Sequence, residues 1–75
     1  VFKRMDRRVA SLLLSQARVQ NPMRVTHQEI AAELGSSREV ISRILEDFSR
    51  EELIESGRGT IEVLDFEGLE SRSAM

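Results

Sequence analysis

A mainly α-helical fold finished by a small β-hairpin is what this sequence predicts, on three observations. "THQEIAAELGSSREV", residues 26–40, holds two helix-start signals separated by a Leu-Gly helix stop. Residues 38–48 are apolar on one side only when wound at about 100° per residue. "LIESGRGTIEVL", residues 53–64, sets two β-prone pieces around Gly57-Arg58-Gly59, a hairpin signal.

The first helix is expected from Met5 to about Val19. Met5, Val9, Leu12 and Leu13 recur at helical spacing, with Arg4, Arg7, Arg8 and Arg18 mostly elsewhere. Pro22 ends it, because the residue before a proline is pushed out of the α region. "MRV", residues 23–25, reads as a short extended piece. Thr26 then opens a second helix with a capping box. Its hydroxyl can accept from the Glu29 amide while the Glu29 carboxylate reaches back to the Thr26 amide. Ile30, Ala31 and Leu34 form its apolar side, and Gly35 supplies the positive φ of a tight exit.

Ser36 or Ser37 caps a third helix, and "SSRE" offers a second capping box with Glu39. Its body should run to about Arg50. Val40, Ile41, Ile44, Leu45 and Phe48 share one arc, while Arg38, Glu39, Ser42 and Arg43 share the opposite one, with Glu46 beside them. After the hairpin, "FEGLESRSAM" (66–75) reads as a loose turn and a frayed end. Helix, short strand, helix, tight turn, helix, hairpin is the layout of a three-helix winged helix-turn-helix domain, here over residues 5–65.

Composition narrows the function. Seventy-five residues make one small domain, 40% hydrophobic and 32% charged. The absence of cysteine excludes disulfides and thiolate chemistry and fits a reducing, cytoplasmic setting. One histidine argues against a zinc site, and a serine nucleophile would have only His27 as its base. No enzyme is expected. The basic-then-apolar start is too interrupted for a signal peptide, and no run is long enough to span a bilayer. The net charge of −2 hides an asymmetry. Residues 1–50 carry nine Lys/Arg against six Asp/Glu, and residues 51–75 carry two against seven. The basic part coincides with the helices, and local charge governs contact with a phosphate backbone.

The third helix thus has a core side and a side of planar hydrogen-bonding groups. Guanidiniums bond bidentately to O6 and N7 of guanine in the major groove, and a carboxylate accepts from cytosine N4. Arg38 and Glu39 sit at the helix start, where such helices meet base edges. The plainer alternative is a solvated face on which Glu39 and Arg43 pair at i, i+4. A winged-helix module that binds an acidic protein partner through the same basic face is the competing function.

"THQEIAAELGSSREVISRILEDFSREELIESGRGTIEV" resembles the DNA-binding domain of the cyclic-AMP receptor protein/FNR (Crp/Fnr) family of bacterial transcription regulators. The resemblance covers about residues 5–65. It rests on Ile30-Ala31, Leu34-Gly35, Ile41 and Ile44, with Ser37-Arg38-Glu39 and Arg43 outside. It implies that Arg38 and Arg43 each face a guanine, and Glu39 a cytosine, in a TGTGA-like half-site. Thr26, His27, Gln28, Ser37, Ser42 and Arg58 would then hold the DNA backbone. Thr26 reads equally as a plain helix cap, and His27 as an exposed surface residue.

The same resemblance implies a homodimer on an inverted-repeat operator, with half-sites one helical turn (about 34 Å) apart. Residues 1–4 would be the remnant of a hinge after a dimerisation helix. An N-terminal sensory domain would bind an effector these residues do not specify, so no cofactor is expected within them. Without the dimerisation helix the chain should be monomeric or weakly associated. RNA polymerase is a further partner in some family activators, through a longer loop than "VQNPMRV".

Overall fold

The computed structural model describes residues 3–74. Its elements are α1 (Lys3–Ala17), β1 (Met23–Arg24), α2 (His27–Leu34), α3 (Arg38–Arg50), β2 (Ile54–Gly57), β3 (Thr60–Val63) and α4 (Phe66–Ala74). This is the winged helix-turn-helix arrangement, with one helix more than expected.

α1 buries Val9, Ala10, Leu13, Leu14 and Ala17, one place round the helix from the stripe expected. Met5 and Leu12 only flank the core. The helix stops at Ala17, two residues before the expected end, and Val19 stands 89% exposed. Of the expected hinge remnant, Val1 and Phe2 lie outside the described residues, whereas Lys3 and Arg4 already belong to α1.

The extended piece at Met23–Arg24 is a true strand. It pairs antiparallel with β3, Met23 opposite Ile61 and Arg24 opposite Thr60. β3 also pairs with β2, from Ile54 opposite Val63 to Gly57 opposite Thr60, so the sheet order is β1-β3-β2. Beyond β1 the ladder is continued by a side chain. Asn21 Nδ2 donates to the Val63 carbonyl at 3.1 Å, and its Oδ1 accepts from the Val63 amide at 2.9 Å. One side-chain amide thereby satisfies both polar groups of a buried strand residue. Asn21→Ala leaves both unpaired, and a buried orphan costs about 1–3 kcal/mol. Its thermal melt should fall by several degrees, since about 4–8 °C accompanies each kcal/mol in a domain this small. An unchanged melt would show that water replaces the amide without loss.

Phe48, Leu13, Ile30, Ile41, Leu45, Ile54, Ile61 and Leu69 are the largest fully buried side chains. They draw on α1, α2, α3, both wing strands and α4, so a single core joins every helix to the wing.

Residues 66–74 correct the expectation of a loose, frayed tail. Asp65 begins α4 by accepting from the Gly68 amide at 3.0 Å, an N-cap contact. Leu69 is fully buried, and α4 packs chiefly on α1. Arg18 pairs with Glu70, Arg72 with Glu51, and the Arg72 guanidinium lies 5.9 Å from the centre of the Phe48 ring. Gly68 and the two serines, Ser71 and Ser73, give this segment little helix propensity of its own. Docking of Leu69 supplies what propensity lacks.

Near the start of α1, Asp6 shares a groove with Val40, Arg43, Ile44, Glu46, Asp47 and Arg50 of α3. Burial pushes its carboxyl above the ordinary value of 3.8, with Arg72 pulling the other way. A raised folded value means that the protonated form is the better tolerated one. The stability contribution of this group is full below pH 3.8 and fades as pH rises through the raised value. Carboxyl NMR titration should place the Asp6 midpoint above 3.8. A midpoint at or below that value would mean that nearby positive charge outweighs burial.

Candidate nucleic-acid interface

The helix-turn-helix is built from two caps around one glycine. At the start of α2 the expected capping box is present. The Glu29 amide donates to Thr26 Oγ1 at 3.1 Å, and the Thr26 amide donates to Glu29 Oε1 at 2.8 Å. Gly35 ends α2 at φ 66°, and its added Cβ would meet nothing within 4 Å. The glycine requirement is therefore one of backbone conformation and not of space.

At the start of α3 one expectation fails. Ser37 and not Ser36 is the N-cap, its Oγ accepting from the Val40 amide at 3.2 Å. Glu39 then falls one position short of the place that closes a capping box, so the "SSRE" box does not form. Its carboxylate is left on the outer surface of the helix. There it meets Arg43 Nη2 at 3.7 Å, with the two side chains 81% and 69% exposed. An exposed i, i+4 pair is worth roughly 0.3–0.5 kcal/mol, whereas a bidentate base contact discriminates by about 1–3 kcal/mol. The pair holds the two groups near each other and yields to a stronger partner.

The two sides of α3 separate as the helical arcs predict. Ile41, Ile44, Leu45 and Phe48 are buried, and Arg38, Glu39, Arg43 and Glu46 are exposed. Val40, assigned to the core, is only partly covered. Ser42 is half-buried at the edge of the outer face, for a reason absent from the sequence pattern. His27 Nδ1 lies 2.8 Å from Ser42 Oγ, tying the first turn of α2 to the second turn of α3. His27 is consequently half-buried and not the exposed surface residue expected. Either the Ser42 hydroxyl or an Nδ1–H donates across this contact, according to the ring tautomer, and Nε2 is the ring nitrogen this contact leaves free.

The wing is tethered to the same place. The Val25 amide donates to the Gly59 carbonyl at 3.1 Å, just before the Thr26 cap. Gly59 takes φ 66° in the two-residue turn Arg58-Gly59, leaving Arg58 exposed at the tip. A shallow cleft of about 230 Å³ results. Thr26, His27, Gln28 and Arg38 line one side, with Gly57, Gly59 and Thr60 at the wing. Four of the nine predicted site residues thus converge on one cleft. Arg43 and Glu39 stand further along α3, Ser37 caps it, Ser42 anchors His27, and Arg58 projects beyond. The Ser37 hydroxyl accepts a hydrogen bond but keeps its own proton to donate.

Among the described residues no group of three or more metal-ligating side chains converges, and no helix is long and apolar enough to cross a membrane. What the surface offers is a row of guanidiniums, hydroxyls and the carboxylates of Glu39 and Glu46 on a projecting helix, flanked by a wing. Comparison with known proteins agrees with that geometry. The Crp-like helix-turn-helix domain matches residues 7–72. The chain belongs to that family.

Among curated proteins, this Crp-like domain is 43% identical over 47 residues to the transcriptional regulator SdrP of Thermus thermophilus, spanning 63% of this chain and 23% of that protein. It is 38% identical over 65 residues to the HTH-type transcriptional regulator Cmr of Mycobacterium tuberculosis, spanning 87% of this chain and 26% of that protein. A Crp/Fnr-family regulator from Eubacterium rectale superposes with TM-score 0.88 at 43% identity, over 93% of this chain and 33% of that one. The Thermus thermophilus catabolite activator protein superposes with TM-score 0.87 at 35% identity, over 97% and 35%. The Crp-like domain therefore spans about a quarter of its curated relatives and a third of these structures. The relatives are transcription regulators, and the match extends through most of α4, which the sequence pattern had left outside the domain.

Proposed function

We propose that this domain binds double-stranded DNA sequence-specifically, with α3 in the major groove. The observation that carries the reading is the outward trio Arg38, Glu39 and Arg43 on a helix whose other side is core. Arg38 and Arg43 would each pair with the O6 and N7 of a guanine, and Glu39 would accept from a cytosine amino group. Thr26, His27 through Nε2, Gln28, the Ser37 hydroxyl and the Arg38 side of the cleft would hold one stretch of phosphate backbone. Ser42 would act by orienting His27. Arg58 at the wing tip would hold another stretch, and Arg58→Ala should weaken all duplexes alike. A change in their ranking would assign Arg58 to base reading.

The working unit is a homodimer on an inverted repeat, its half-sites about 34 Å apart. Selection of sites from random duplexes by a tethered dimer tests the reading. A G·C-containing half-site repeated at that spacing is the expected result. Failure to enrich any duplex at low salt would favour the competing role, capture of an acidic protein partner.

A further inference from the structure

Arg4, Arg7 and Arg8 stand outside the trio, the cleft and the wing. All three are exposed, and they enter none of the ion pairs found among the described residues. Their spacing of three and four residues sets them as neighbours on one side of α1. Together with Ser11, Leu12 and Leu34 they line an open groove of about 570 Å³ between α1 and the end of α2. Leu34 is the last residue of α2, and Ser37 caps α3 three residues later. The groove therefore opens within about 11 Å of chain from the start of α3.

We propose that this arginine groove is a second phosphate-binding surface, carrying the DNA contact past the helix-turn-helix onto α1. The proposal rests on the DNA-binding reading above and extends it. Unpaired guanidiniums match phosphate bidentately, at no cost of breaking an existing ion pair. Leu12 and Leu34 provide the apolar floor along which arginine stems lie while their charged heads stay in water. Duplex DNA carries one charge per about 1.7 Å of axis, so a backbone engaged at Ser37 presents further phosphates within reach of a neighbouring basic surface. The groove also answers the charge problem. A chain of net charge −2 needs its positive groups concentrated where the polyanion passes. An acidic protein segment could share the chemistry, but continuity with the start of α3 favours DNA.

The test compares the parent, R4Q/R7Q/R8Q and R4K/R7K/R8K, each as the tethered dimer, by fluorescence anisotropy on one selected duplex and on scrambled duplexes over a salt series. The glutamine variant should bind every duplex more weakly, keep the parent's sequence ranking, and flatten the log–log salt dependence by about 0.9 for each phosphate no longer neutralised. The lysine variant, which keeps the charge, should retain the slope. A glutamine variant with the parent's melting temperature and slope overturns the proposal and leaves the α3 reading intact. So does a loss confined to binding of a polyglutamate peptide, which would assign the groove to an acidic protein. A parent that binds no duplex removes both. Should triple substitution destabilise α1, the single changes Arg4→Gln and Arg8→Gln decide, each being expected to lower the slope by about 0.9.

Discussion

Replacing Phe48 with alanine is expected to remove about 3–5 kcal/mol of stability, the range for deleting a buried aromatic ring. At roughly 0.05–0.15 kcal/mol per residue, a domain of 75 residues has on the order of 4–11 kcal/mol in all. From about a quarter of the fold's margin to all of it would therefore go with one ring. Phe48 is fully buried on the core side of α3, and the Arg72 guanidinium of α4 sits 5.9 Å from its centre. The change would leave a cavity beneath α3 and strip α4 of the platform under Arg72. A circular dichroism melt should fall by well over 10 °C. DNA binding should disappear with it, because the outer face of α3 is oriented only by what its inner face touches. A melt within a few degrees of the parent would mean that neighbouring leucines and isoleucines collapse into the space, and that Phe48 is not the wedge under this helix.

Arg43→Ala should do the reverse, sparing the fold and altering what it reads. Its side chain is 69% exposed, and a surface change of this kind ordinarily moves stability by less than about 0.5 kcal/mol. The expected loss is about 1–3 kcal/mol of discrimination at one guanine position, a factor of roughly 5 to 150. Site selection with the tethered dimer should show that position flattened and the others kept. Glu39 loses its ion-pair partner in this variant, so some relaxation at the neighbouring cytosine is also expected. Unchanged base preference would show that Arg43 spends its charge on the backbone or on Glu39 alone.

Where local chemistry decided an element, the sequence was readable. Thr26 and Glu29 announce their capping box, Gly35 its left-handed exit, and Gly59 the hairpin turn, because each contact lies within four residues of its partner. The two arcs of α3 were readable for the same reason, since helical geometry alone separates Ile41, Ile44, Leu45 and Phe48 from Arg38, Glu39 and Arg43. The cap of α3 was ambiguous between two adjacent serines, and a one-residue choice decided whether Glu39 serves the cap or the surface.

Contacts between residues far apart in sequence were not readable. Asn21 reaches Val63 across 42 residues, and Arg18 reaches Glu70 across 52. His27 carries no local sign that Ser42 will hold its ring. α4 was missed because its helicity depends on burying Leu69 in a core that it reaches chiefly by packing on α1, at the other end of the sequence. Glu52, at φ 60° just after α3, is a non-glycine in the left-handed region that no propensity would choose.

From residue order alone come α1 to α3, the capping box of α2, the wing and the outward side of α3, since these follow from periodicity and from bonds between near neighbours. Tertiary packing alone decides that Thr26, His27, Gln28 and Arg38 meet at one cleft beside the wing, and that three arginines of α1 share a groove with Leu34 at the end of α2. A one-dimensional pattern records which way a side chain faces on its own element. Which elements become neighbours is settled by burial of a shared core.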